Sequence, residues 1–89
     1  MTTNDTIQAA AQWMLLELEA DGQVSREYAA EHLAKRFGEV AVRETPGGGP
    51  AIDERVIEAF TKLAQEKTGH PAVYEGETWF LRLGNSPLL

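Results

Sequence analysis

The sequence has no cysteine and only two histidines among its 89 residues. Without cysteine the chain can form no disulfide, no thiolate metal site and no cysteine nucleophile. The histidines, His32 and His70, lie far apart in the sequence, and a zinc site needs three or four ligands. We therefore expect neither a metal nor another cofactor.

A long apolar run is also missing. The longest one is Trp13 to Leu16, whereas a membrane-spanning helix needs about 20 apolar residues. The first residues show no basic group followed by an apolar stretch, so no signal peptide is visible. These observations predict a cytoplasmic protein with no membrane partner.

Basic residues are few, with 8 Lys and Arg against 14 Asp and Glu, which gives a formal net charge of −6. An acidic chain repels a phosphate backbone at long range, which argues against non-specific binding to nucleic acids. Residues 1–44 carry −4 of this charge and residues 45–89 carry −2, so the excess is spread along the chain. The length allows one modest core, and we predict one domain at 1–84 and a loose tail at 85–89.

Apolar spacing predicts three helices, at about residues 6–20, 26–37 and 54–67. Thr3, Asn4 and Asp5 offer N-cap oxygens for the first, Ser25 for the second and Asp53 for the third. In the first helix Trp13 and Leu16 fall off the main apolar stripe. This position predicts a helix that is covered on two sides.

Two hairpins are predicted from short runs rich in β-branched and aromatic residues. The first joins a strand at 39–44 to residues 51–52 through the glycine-rich segment 46–50. That segment is no phosphate-binding loop, because an acid follows where such a loop carries a lysine. The second hairpin joins 72–74 to 78–83 across Gly76 and Glu77, and this pairing places Tyr74 opposite Trp79.

The order helix, short extended piece, helix, helix, hairpin resembles the winged-helix arrangement. We therefore predict an α+β fold with a three-helix core, a C-terminal hairpin as the wing, and an extra hairpin between the second and third helices. The sequence is also similar to a family of small uncharacterised bacterial proteins. The matching stretches are residues 11–18, 37–38, 51–53 and 56–60, together with Trp79 and Arg82. The resemblance implies a shared fold and brings no activity or catalytic residues with it.

Catalytic groups are scarce. The pairs Glu17 with Asp21 and Glu54 with Glu58 have helical i, i+4 spacing, which perturbs a pKa only where the site is desolvated. Both pairs point away from the predicted apolar stripes, so we expect a solvated surface. No general base that could activate a serine hydroxyl lies close to Ser25 or Ser86 in the sequence. The sequence therefore predicts a non-enzymatic protein.

A DNA-binding regulator is one functional reading, because winged helices often place the third helix in the major groove. Residues 53–67 carry four acids and three bases, however, whereas DNA-reading helices concentrate Lys and Arg. The candidate nucleic-acid contacts are Lys35, Arg36, Arg43, Arg55 and Lys62.

The favoured reading is a protein-binding or self-associating module. Interfaces are enriched in aromatic residues, and edge strands offer unpaired backbone groups to a second copy. The candidate partner contacts are Trp79, Tyr74 and Arg82 on the wing. The alternative for both tryptophans is that Trp13 and Trp79 fill the core under the wing.

Overall fold

The structure is a computed structural model, which describes residues 2–81; Arg82 and the predicted tail lie outside the described residues. The elements in chain order are α1 (Thr3–Asp21), β1 (Gln23–Ser25), α2 (Arg26–Phe37), a 3-10 turn (Gly38–Val40), β2 (Val42–Glu44), β3 (Pro50–Ile52), α3 (Glu54–Thr68), β4 (Ala72–Glu75) and β5 (Thr78–Leu81). The predicted α+β class, the three helices and the C-terminal hairpin are confirmed.

The N-terminus of α1 is set by a reciprocal pair of hydrogen bonds. The Asp5 amide donates to Thr2 Oγ1 at 3.1 Å, and the Thr2 amide donates to Asp5 Oδ2 at 3.3 Å. This capping box satisfies two amides that the helix itself leaves unpaired. The prediction of an N-cap at Thr3, Asn4 or Asp5 was wrong, because Asp5 completes the box from inside the helix.

The N-caps predicted for the other two helices are confirmed. Ser25 Oγ accepts from the Tyr28 amide at 3.4 Å, and Asp53 Oδ1 accepts from the Arg55 amide at 2.8 Å. These caps place the start of α2 directly after β1 and the start of α3 directly after β3.

A three-stranded antiparallel sheet has the order β1-β5-β4. Tyr74 lies opposite Trp79 and Val73 opposite Phe80, as predicted. Gly76 and Glu77 both have positive φ, 61° and 59°, which matches the tight turn that fits the twist of a two-residue hairpin. β1 pairs with the other edge of β5, so the hairpin is anchored to the connection between α1 and α2.

The predicted strand at 39–44 was wrong in its first half. Residues 38–40 form the 3-10 turn, and only Val42–Glu44 pairs with β3. The Ala41 side chain is fully buried, and its carbonyl accepts from the Asp53 amide at 2.8 Å. This contact links the extra hairpin to the start of α3 and ends the extended stretch.

The core lies where the three helices meet the sheet. Its largest fully buried side chains are Phe60, Met14, Leu18, Leu33 and Val56. Fully buried alanines at 10 and 11 of α1 and at 64 of α3 leave room for other elements to pack closely. Within residues 2–81 no helix is long and apolar enough to cross a membrane.

Candidate functional site

The outer face of α1 carries a second apolar line. Ala9, Trp13, Leu16 and Ala20 recur at i, i+4, i+7 and i+11, on the side of the helix away from the buried residues. Leu16 is 63% exposed, the highest value for a large hydrophobic residue in the described part of the chain. The prediction that α1 is covered on two sides was therefore wrong at Leu16.

An aromatic cluster joins α1 to α2 beside this line. The Trp13 and His32 rings stack with centroids 3.9 Å apart and an interplanar angle of 3°. The Tyr28 ring lies 6.0 Å from Trp13 and 6.4 Å from His32, and Tyr28 is 52% exposed. Trp13 thus packs on α2 and, half-buried, against the core, which partly supports the alternative that it fills the core. We name Trp13, Leu16, Tyr28 and His32 the α1–α2 patch.

His32 contributes one polar atom to this patch. Its Nε2 atom is buried and has no hydrogen-bond partner within the described residues. A buried polar atom without a partner carries a desolvation penalty, which the stacking on Trp13 partly offsets. Tyr28 and His32 lie four residues apart on α2, but the sequence showed nothing of the stacking of His32 on Trp13, because that contact joins two helices.

Two carboxylates border the patch where α1 leads into β1 and α2. Glu17 and Asp21 line a surface cleft together with Gln23, Val24, Ser25 and Tyr28. Trp13, Glu17 and Asp21 follow one another at i, i+4 and i+8, so they form a line along α1. Across residues 2–81, neither carboxylate forms a salt bridge. We call Glu17 and Asp21 the acidic end of the patch.

The predicted partner contacts on the wing differ in how far their side chains are buried. Trp79 is only 4% exposed and packs edge-on against Phe60 at 5.8 Å. The alternative that Trp79 fills the core is therefore the one that this structure supports. Tyr74 is 46% exposed and lies 4.7 Å from the Trp79 ring, while Arg82 lies outside the described residues. Tyr74 thus remains available to a partner.

The candidate nucleic-acid contacts lie on three elements, α2, β2 and α3. Arg55 and Lys62 share a groove with Glu58 between α3 and the start of α1. Arg55 is held by Asp53 through Nε–Oδ1 and Nη2–Oδ2 contacts of 3.0 and 3.2 Å. Lys35 and Arg36 lie exposed at the end of α2, and Arg43 lies exposed in β2. The charges of Arg43 and Arg55 both act on the Asp53 carboxylate.

The last kind of site considered is a metal site. Among residues 2–81 no group of three or more His, Asp or Glu side chains is placed to hold a metal ion. Glu54 and Glu58 are both exposed on α3, which agrees with the solvated surface expected for this pair.

Asp53 is the carboxylate with the most defined surroundings. The hydrogen bond from the Arg55 side chain holds the pKa of Asp53 below its ordinary value, although burial opposes this shift. The Arg55 amide and the charges of Arg55 and Arg43 lower that pKa further. The amide and the side chain of Arg55, in the first turn of α3, both contact the Asp53 carboxylate. We therefore assign Asp53 a structural role as the cap of α3.

Replacing Asp53 with alanine is expected to lower the free energy of unfolding by about 1 kcal/mol, the typical loss for a helix cap. Asp53→Asn keeps a cap oxygen and is expected to cost less, because the lost ion pair involves an exposed arginine. Since the pKa of Asp53 is lowered on folding, its stabilisation is present above the unfolded pKa and is lost as pH falls through the folded value. Urea unfolding at neutral and acidic pH measures both effects. Equal stability of the wild type and Asp53→Ala at neutral pH would contradict this role.

Comparison with known families places most of the chain in one of them. The model of a family described as "Family of unknown function (DUF6953)" matches residues 6–79. Neither the curated proteins nor the solved structures contain a match to the chain. The match agrees with the similarity to an uncharacterised family predicted above.

Proposed function

We propose that this chain, which belongs to the DUF6953 family of unknown function, is a non-enzymatic protein-binding module that uses the α1–α2 patch. The observation that carries the proposal is the exposure of Leu16 and Tyr28 beside the half-buried Trp13. Exposed leucines are ordinary when scattered singly. Here the leucine lies one helical turn from Trp13, which contacts the Tyr28 ring, and tryptophan and tyrosine are enriched in interface hot spots.

We further propose that the fold is a winged-helix arrangement, and the order of elements supports this. A strand between the first two helices pairs with the last strand of the C-terminal hairpin, giving the sheet order β1-β5-β4. The inserted β2–β3 hairpin lies apart from that sheet. Because α1 and α2 carry the patch, the proposed protein contact does not use α3 or the wing. A cytoplasmic location stays a prediction from the sequence.

The alternative is a winged-helix DNA-binding regulator. In its favour, Arg55 and Lys62 share a groove on α3. Against it, Arg55 already donates to Asp53, Glu58 lies in the same groove, and the chain carries a net charge of −6. A titration with duplex DNA at low salt tests this function, because phosphate contacts are strongest there. Binding that weakens steeply with salt and is lost in Lys62→Ala would favour the regulator.

We expect Leu16→Glu to weaken the complex with a protein partner at least about tenfold, because it places a charge in the centre of the apolar surface. The partner is first isolated from cells with the wild-type chain, then purified and titrated in a binary reaction by calorimetry. The matched control is Gln65→Glu, which adds the same charge at an exposed position of α3. A binary complex that tolerates Leu16→Glu as well as it tolerates Gln65→Glu would contradict the patch as the interface.

A further inference from the structure

The charges around the α1–α2 patch indicate which class of partner fits it. We infer that the patch binds a basic amphipathic helix of another protein, whose apolar side covers Leu16 and Trp13 and whose Lys or Arg side chains reach Glu17 and Asp21. This inference rests on the proposed function and adds the chemistry of the partner to it.

The first argument is the charge of α1. Its four charged residues are all acidic, namely Asp5, Glu17, Glu19 and Asp21. Three of them lie in the C-terminal part of the helix, where the macrodipole is negative and favours bases instead. The last turn of α1 contains no base, and Glu17 and Asp21 have no salt bridge within the described residues. A cationic partner side chain would therefore relieve a local excess of negative charge.

The second argument is the shape of the outer apolar line, in which Leu16 and Ala20 are exposed and Ala9 and Trp13 are half-buried. Ala9, Trp13, Leu16 and Ala20 follow the length of α1 at helical spacing, with the Tyr28 and His32 rings beside them on α2. Such a line matches the apolar stripe of a second amphipathic helix laid along α1. The alanines near both ends allow the partner backbone to approach, and Leu16 and Trp13 supply the central contacts.

Charge also decides between a different protein and a second copy of this chain. Packing α1 against another α1 would bring two helices together that each carry four acids and no base. Like charges placed across an interface oppose its formation, and the net charge of −6 on each chain adds long-range repulsion. We therefore choose a basic partner over self-association through this patch.

The test uses two synthetic helical peptides with the same leucine face. One peptide carries lysine on its polar face and the other carries glutamate at the same positions. We expect the lysine peptide to bind at least about tenfold more tightly than the glutamate peptide at low salt, with the difference shrinking as salt screens the charges. Calorimetry gives the affinities, and NMR chemical shifts of the labelled protein locate the site. The shifts are expected at Trp13, Leu16 and Tyr28.

Variants separate the local charges from the overall charge. The double variant Glu17→Gln/Asp21→Asn is expected to weaken binding of the lysine peptide by about tenfold, since each ion pair at the protein surface contributes modestly. The matched control is Glu58→Gln/Glu66→Gln, which removes the same charge from exposed positions of α3 and is expected to change the affinity little. Equal losses in the two double variants would overturn the inference, because net charge alone would then explain binding.

Two further outcomes would also overturn it. In the first outcome, both peptides bind with equal affinity and Leu16→Glu abolishes the binding of both. The patch would then be an apolar docking site without charge preference. Sedimentation of the pure protein as a dimer that Leu16→Glu dissociates would make the occupant a second copy. Neither result removes the proposed protein-binding function, whose test is the binary complex with the purified partner. Failure of that complex to depend on Leu16 would remove the function itself.

Discussion

Replacing Phe60 with alanine is expected to lower the free energy of unfolding by about 3–5 kcal/mol. Phe60 is fully buried, is one of the largest such side chains in the described core, and contacts the Trp79 ring edge-on. The substitution removes this apolar contact and leaves a cavity that close-packed neighbours fill only in part. Because small domains have a net stability of about 5–15 kcal/mol, this loss is a large share of the total free energy of unfolding.

Urea or guanidinium unfolding measures the Phe60→Ala effect. Phe60→Leu keeps most of the apolar volume and is expected to cost less than the alanine variant. Leu16→Ala is the matched surface control, and we expect it to fall within about 0.5 kcal/mol of the wild type, as for other exposed positions. A Phe60→Ala protein that is as stable as Leu16→Ala would show that the three helices do not share the core described above.

Replacing Trp79 with alanine is expected to cost about 3–5 kcal/mol as well. The Trp79 side chain is 4% exposed and connects β5 to Phe60 on α3, so its loss removes a buried contact between the hairpin and the helices. Tyr74→Ala removes the neighbouring ring of the same hairpin, yet Tyr74 is 46% exposed. We expect it to cost about 0.2–1 kcal/mol, the range for a cross-strand pair.

The ratio of these two losses distinguishes the two roles considered for Trp79. Chemical unfolding gives the free energies, and near-ultraviolet circular dichroism reports whether the remaining aromatic rings stay in a fixed environment. A Trp79→Ala variant with a loss as small as that of Tyr74→Ala would mean that Trp79 is not a core residue. That result would instead support Trp79 as a residue that contacts a partner, as the sequence predicts.

Local signals in the sequence predicted the helices well. Ser25 and Asp53 are confirmed as N-caps because a cap depends on a side chain and an amide two or three residues apart. The Gly76-Glu77 turn and the pairing of Tyr74 with Trp79 are confirmed for the same reason. The capping box at Thr2 shows the limit of such reasoning, since several adjacent residues can offer the cap oxygen.

Predictions that depended on distant contacts fared less well. The alternation at residues 39–44 is the pattern of a strand, yet Ala41 is buried and binds the Asp53 amide through its carbonyl. Trp13 falls off the main stripe of α1, which left open what covers it. In the structure the indole of Trp13 is covered by His32, a residue of the next helix that stacks on it. No local pattern encodes such a contact, because it depends on how two helices pack.

By itself, the amino-acid sequence determined the order of the three helices and the two hairpins, the caps of α2 and α3, the acidic charge and the absence of cysteine chemistry. These properties follow from composition or from residues within about one helical turn of each other. The tertiary structure alone decided which aromatic residues are buried and which remain exposed. It buried Trp79 against Phe60, exposed Tyr74 and Leu16, and placed Trp13 on His32 beside the carboxylates of the acidic end. The physical reason is that burial depends on which faces of α1, α2 and α3 meet, and packing of whole elements sets those faces.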